Sequence, residues 1–221
     1  MWQTAFGKII ARYATCLQVH ENIFYRWITY NSDIIQTLLY KRNPAKPTLR
    51  YHTMLTYNAR QRPGNTALLG LGGGAIAHQL CNTNFTGKLT IIEKQAEIIS
   101  IAKEYFFLDR IKNKITLQHM DANNWVTSAI TEKFDHILVD LADATHIPPK
   151  ICNTQFFTDC KQKLTQQGII SINLNNTQDN INLIQAIHHL FNGATSILPV
   201  KSSNNHIMIA YNNPEEQNCA I

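Results

Sequence analysis

One stretch of this 221-residue chain constrains its fold more than any other. Thr66 to Leu71 is a short apolar segment that runs into Gly70-Leu71-Gly72-Gly73-Gly74, and a patterned segment follows through Leu80. An apolar run of this length bounded by glycines reads as a buried strand, and the glycine turn hands the chain on to a helix. The same alternation then repeats. Leu89 to Glu93, Ile115 to His119, Phe134 to Asp140 and Gly168 to Leu174 read as strands. Between and after them, Ala96 to Phe106, Trp125 to Ile130, Gln155 to Leu164 and Ile181 to Phe191 read as helices. Ala194 to Val200 and His206 to Asn212 are close enough in sequence to form an antiparallel pair. Short apolar strands alternating with helices predict a parallel sheet covered on both faces.

The region before this pattern differs. Cys16 to His20, Phe24 to Tyr30 and Ile34 to Tyr40 are rich in β-branched and aromatic residues and read as short strands, with a hairpin turn at Asn31-Ser32-Asp33. Leu49 to Tyr57 has helical spacing, with Leu49, Met54 and Leu55 as core candidates. Asn58 to Asn65, rich in charge and holding Pro63-Gly64, reads as the loop between two units, 1–57 and 58–221. The first residues carry Lys8 and Arg12 and no acid before Glu21, and read as a lead-in or short helix.

Composition excludes several classes. Hydrophobic residues make up 44% and charged residues 16%, enough apolar content for a packed core. There is no apolar run long enough to span a bilayer and no apolar leader with a cleavage site, so no membrane span and no secretory signal are expected. The net charge of +5 is scattered, with small groups at Lys41–Arg42 and Arg60–Arg62, and lacks the dense stripe of a nucleic-acid surface. The five cysteines include no CxxC pair, and the nine histidines include no HExxH. The expectation is reduced thiols in a cytoplasmic protein without a metal.

Residues able to do chemistry fall at the ends of the strands. Glycines at 70, 72, 73 and 74 let a ligand approach the backbone, and the helix behind them presents free N–H groups. Glu93 follows Gly70 by 23 positions, suited to accept from ribose hydroxyls. That spacing fits a dinucleotide as well as an adenosyl sulfonium, although the turn reads GLGGGA rather than a strict GxGxxG. Asp121-Ala122 follows the third strand, where a carboxylate either accepts from an adenine amino group or caps a helix. Asp140 ends the fourth strand and Asp143 follows it by three positions, either as a functional acid pair or as loop caps.

In this order, LLGLGGG, IIE, DA, LVDLAD, Thr154-Gln155-Phe156-Phe157 and GIISINL resemble the spermidine synthase (polyamine aminopropyltransferase) family, in particular its bacterial spermidine synthase-like branch. Upstream, Arg26-Trp27, Ile35-Gln36 and Tyr51-His52-Thr53-Met54-Leu55 are similar to that family's N-terminal hairpin and its Y-x-E-M-L segment. The resemblance implies a class I S-adenosylmethionine-dependent methyltransferase-like (Rossmann-like) α/β fold with a small N-terminal β region. It implies aminopropyl transfer from decarboxylated S-adenosylmethionine to a polyamine such as putrescine, without a metal, nucleic acid or membrane, and a homodimer as a candidate assembly. It places the co-substrate on Gly70, Gly72, Gly73, Gly74, Glu93, Asp121, Ala122, Gln36 and His52. It makes Asp140 the base, and Asp143 and Tyr51 the polyamine contacts. Four positions depart from the pattern: Ala75 and Thr53 stand where the family has acids, Tyr57 where it has His, and DLADA lacks the proline after the second acid. Two alternatives stay open: a methyltransferase using intact S-adenosylmethionine, and a non-catalytic nucleotide-binding homologue.

Overall fold

Two sheets organise the chain, which the computed structural model describes over residues 2–30, 35–82, 85–129, 131–141, 153–175 and 177–215. The first is an antiparallel meander of β1 (Lys8–Arg12), β2 (Leu17–Glu21), β3 (Tyr25–Tyr30) and β4 (Ile35–Tyr40). β1 corrects the expectation of a lead-in or short helix, since only Trp2–Thr4 forms a 3₁₀ turn. Lys-Ile-Ile-Ala-Arg carries too few residues to display a period, and pairing with β2 decides its state: Lys8 lies opposite Glu21. The Asn22 amide donates to the carbonyls of Gln3 and Ala5, at 2.8 and 3.1 Å, and draws the preceding segment in. The expected turn at residues 31–33 lies outside the described residues.

Two short helices follow, α1 (Arg50–Leu55) and α2 (Tyr57–Gln61). Helix therefore continues past Tyr57, and the expected loop from Asn58 shortens. Thr56 between them keeps right-handed helical angles (φ −87°, ψ −3°), its hydroxyl donates to the His52 carbonyl at 2.8 Å, and Ala59 is fully buried. Pro63 then disfavours helix at the residue before it.

The second sheet has seven strands. β5 (Thr66–Leu69), β6 (Leu89–Glu93), β7 (Ile115–His119), β8 (Phe134–Val139), β9 (Leu164–Leu174), β10 (Thr195–Pro199) and β11 (His206–Tyr211) lie in the order β10-β11-β9-β8-β5-β6-β7. β5 to β9 are mutually parallel, and β11 and β10 close one edge antiparallel, in keeping with the alternation and the terminal pair expected from the sequence. α3 (Ala75–Cys81), α4 (Ala96–Tyr105), α5 (Ala122–Thr127), α6 (Thr154–Lys163) and α7 (Ile181–Leu190) cover its faces. β9 begins at Leu164 rather than Gly168, because Leu164 pairs with Phe134 across an irregularity in the β8 register. α5 begins at Ala122, earlier than expected from the Trp125 pattern, because the Asp121 side chain accepts from Asn123 N–H and starts the helix there.

Both faces of this sheet are buried. On one, Leu68, Ile91 and Leu138 pack with Ala77 and Leu80 of α3 and with Leu17, Val19, Ile28 and Leu39 of the small sheet. On the other, Ile137, Ile170 and Ile172 pack with Trp125, Phe156 and Phe157. Each such side chain contributes about 1.5–3 kcal/mol on burial, which is why the strands read as continuous apolar runs. From β5 the chain goes to β6 and β7 on one side, then crosses to β8 and β9 on the other. That reversal opens a crevice at the carboxyl ends of β5, β6 and β8, the place where open α/β sheets hold ligands. Among the described residues no helix is long and apolar enough to cross a membrane.

Candidate active site

The crevice is a cavity of about 1120 Å³. The glycine turn after β5 forms one wall. Gly70 (φ +98°) needs the absence of a side chain, since a Cβ there would collide with the Asp140 carbonyl oxygen. Gly72 (φ +51°) also sits in left-handed space, and a Cβ would meet the Thr37 hydroxyl. Both line the cavity. Gly73 and Gly74 hold the turn in place: Gly73 N–H donates to Thr37 Oγ1 at 2.9 Å, tying the turn to β4, and Gly74 caps α3.

Glu93 ends β6 beside this turn and is buried. Its two carboxylate oxygens accept from the backbone N–H groups of Leu71 (3.0 Å) and Gln95 (2.8 Å). Each oxygen has a further lone pair to offer the cavity. Met120 N–H donates to the Glu93 carbonyl at 3.0 Å and brings Asp121 and Ala122 to the same wall. Asp121 does cap α5, its Oδ1 taking Asn123 N–H at 2.8 Å. Gln36 on β4 and His52 on α1 complete this part of the lining. His52 is 3% exposed, and burial depresses its ring to about 3, so it is neutral at physiological pH.

Asp140 lies one residue beyond β8, across β5 from Glu93. Its Oδ1 accepts from the Asn173 amide at 2.9 Å and its Oδ2 from the Tyr51 hydroxyl at 3.1 Å. The protein packed around it raises its carboxyl above the ordinary range, while these two donors pull it back down. Burial and the neighbouring Asp140 charge push the Tyr51 phenol well above its usual value, so Tyr51 stays a donor. The Tyr51 ring packs edge-on against His52, 4.4 Å between centroids. The arrangement sets a carboxylate held by backbone N–H groups at one side of the cavity and, across β5, a buried carboxylate able to accept a proton.

The structure thus gathers Gln36, Tyr51, His52, Gly70, Gly72, Glu93, Asp121, Ala122 and Asp140 around one cavity. Asp143 lies outside the described residues. Sequence reasoning gives no role to Thr37, Asn173 or Asn205. Thr37 sits in a strand distant in sequence from the glycines it holds. Asn173 and Asn205 flank the ends of β9 and β11, and the polar clusters NLNN and SSNN at those ends are the available signal. Among the described residues no group of three or more His, Cys, Asp or Glu is placed to hold a metal ion, and Cys16, Cys81 and Cys160 are free thiols.

A glycine-turned parallel sheet with acids at the ends of three of its strands defines the Rossmann-like class of α/β protein. Residues 48–207 match the spermine/spermidine synthase domain family, and the chain belongs to that family. It is 25% identical over 198 residues to a polyamine aminopropyltransferase of Neisseria meningitidis serogroup A, covering 87% of this chain and 75% of that protein. A probable polyamine aminopropyl transferase of Bifidobacterium longum is 31% identical over 167 residues, which is 72% of this chain and 36% of the relative. The solved structure of a spermidine synthase in complex with the transition-state analogue AdoDATO shares the fold, with a TM-score of 0.72 at 16% identity over 95% of this chain and 76% of that one.

Proposed function

We propose that the protein is an aminopropyltransferase that uses decarboxylated S-adenosylmethionine and a polyamine such as putrescine. The observation that carries this reading is the Asp140 carboxylate, held by Tyr51 and Asn173 in the same cavity as the glycine turn and Glu93. Gly70 and Gly72 permit close approach of the adenosyl co-substrate, Glu93 accepts from its ribose hydroxyls, and Asp121 with Ala122 borders the base. Gln36 and His52 close over it, and the neutral His52 ring adds no charge to repel a sulfonium.

Asp140 removes a proton from the acceptor ammonium, whose ordinary pKa of about 10 otherwise leaves almost no free amine at neutral pH. The freed nitrogen lone pair forms a C–N bond to the carbon beside the sulfonium as the C–S bond breaks. Methylthioadenosine leaves with that electron pair, and Asp140 passes its proton to solvent. Tyr51 and Asn173 favour the charged form of Asp140 before the proton moves. Asp143 belongs to the same proposal, as a second anchor for the polyamine. The remaining acceleration comes from holding two reactants in line.

One observation favours a second reading, methyl transfer from intact S-adenosylmethionine. Ala75 lines the cavity where the resemblance implies an acid, and Arg50 and Lys94 line it as well. Titration calorimetry with the decarboxylated and intact sulfonium side by side separates the two. Tighter binding of the decarboxylated form is expected; tighter binding of the intact form overturns aminopropyl transfer in favour of methyl transfer.

A further inference from the structure

The turn between β10 and β11 reaches Asp140 through two amides. Ser203 Oγ donates to Asn205 Oδ1 at 2.6 Å. The Asn205 Nδ2 faces β9, donating to Asn173 Oδ1 at 2.8 Å and lying 3.4 Å from Asn175 Oδ1. With its oxygen engaged there, Asn173 must present its own Nδ2 to Asp140 Oδ1, at 2.9 Å. The turn is also braced through its backbone: Val200 N–H donates to the Asn205 carbonyl at 2.9 Å, and Asn205 N–H to Ser203 Oγ at 3.1 Å.

An asparagine side chain is nearly symmetric in shape but not in chemistry. Rotated by half a turn, Asn173 would set its carbonyl oxygen against the Asp140 carboxylate, a repulsive pair in place of a charge-assisted hydrogen bond. The Asp140 carboxylate favours the N–H₂ side, and the Asn205 N–H₂, bonded to the far oxygen of Asn173, holds that same orientation. We propose that Asn205 is a positioning residue, which keeps the Asn173 amide turned so that its N–H₂ stabilises the carboxylate form of Asp140. The functional meaning rests on Asp140 acting as the base; the orientation itself does not.

Among the described residues, the other titratable and charged groups around the same cavity are Tyr30 at the end of β3, Arg50, Tyr51 and His52 from α1, Glu93 at the end of β6 and Lys94 just after it, Asp121 before α5, Asp179 before α7, and Lys201 in the turn. Tyr51 donates to Asp140 directly, and all of them are left unchanged in the test. In Asn205→Ala, the Asp140 carboxyl, followed by its ¹³C chemical shift in the ligand-free protein, is expected to titrate about one pH unit higher. The acidic limb of kcat/KM for aminopropyl transfer moves up with it, giving roughly tenfold loss at the foot of the limb and recovery at high pH. Ser203→Ala, which removes the hydroxyl behind Asn205 together with its bond from the Asn205 N–H, shifts both in the same direction by less. An unmoved carboxyl titration in Asn205→Ala overturns the proposal, as does a rate loss equal at every pH. Full turnover in Asp140→Asn would instead sink the reading of Asp140 as the base, while the carboxyl titration still judges the orientation of Asn173.

Discussion

Glu93 and Asp140 stand at the ends of β6 and β8, the two strands that flank β5, and both face one cavity. Glu93 is gripped by main-chain N–H groups, those of Leu71 in the glycine turn and Gln95 just beyond its own strand. Asp140 is gripped by side chains from elsewhere, the Tyr51 hydroxyl on α1 and the Asn173 amide on β9. Backbone donors keep their place whatever the side chains do, so the Glu93 end is rigid and suited to a constant group of a ligand. Side-chain donors can be lost or turned, so the Asp140 end has a tunable proton affinity. In the proposed reaction the first end holds the co-substrate and the second reacts with the acceptor.

The largest expected effect breaks the reacting end alone. Asp140→Asn keeps the shape of the residue but cannot take a proton, and the turnover of aminopropyl transfer is expected to fall by about a thousandfold, within the range general-base removal spans. Calorimetric affinity for methylthioadenosine stays within a few-fold, because the holding end is untouched. Wild-type turnover in this variant would remove Asp140 from the chemistry.

Glu93→Ala should do the converse. It takes away the acceptor assigned to ribose, and affinity for methylthioadenosine is expected to drop by about ten- to a hundredfold. It also strips two backbone N–H groups of their partner, at about 1–3 kcal/mol each, so the thermal midpoint falls too. An unchanged affinity would show that ribose is held elsewhere and that the two ends do not divide the work as described.

That division also explains which parts of the molecule are legible in the order of residues. The glycine turn, Glu93 and the Asp121 cap are local devices, where residue type and spacing along one stretch carry the geometry, so GLGGGA, IIE and DA can be read directly from the sequence. So can β5, β6, β8 and the later part of β9, because burial on both faces makes each a largely apolar run, while the edge strand β7 shows instead as the short alternation Ile115-Thr116-Leu117. The contacts of Asp140 are non-local: Tyr51 is 89 positions away and Asn173 is 33. Nothing in the order of residues says that an asparagine in β11's approach should turn another in β9. Strand β1 escapes a sequence reading for a related reason, since its pairing with β2, rather than its own short pattern, decides its conformation.

The smallest effect sharpens the comparison most. Tyr51→Phe keeps the ring against His52 and removes only the hydroxyl that reaches Asp140. Burial already raises the Asp140 carboxyl, and the Tyr51 bond opposes that rise, so its loss lifts the carboxyl further. The proposed base works as the carboxylate, which is populated above its pKa. The acidic limb of the kcat/KM profile is therefore expected to move to higher pH, by about one unit for one charge-assisted hydrogen bond. Activity then falls about tenfold near the foot of the limb and little on the plateau, while affinity for methylthioadenosine is unchanged. A uniform loss at all pH values would mean that Tyr51 places the polyamine rather than tuning the base. Unlike the side-chain donor on Asp140, the N–H groups on Glu93 have no hydroxyl to delete, and no equally mild substitution there should separate proton affinity from binding.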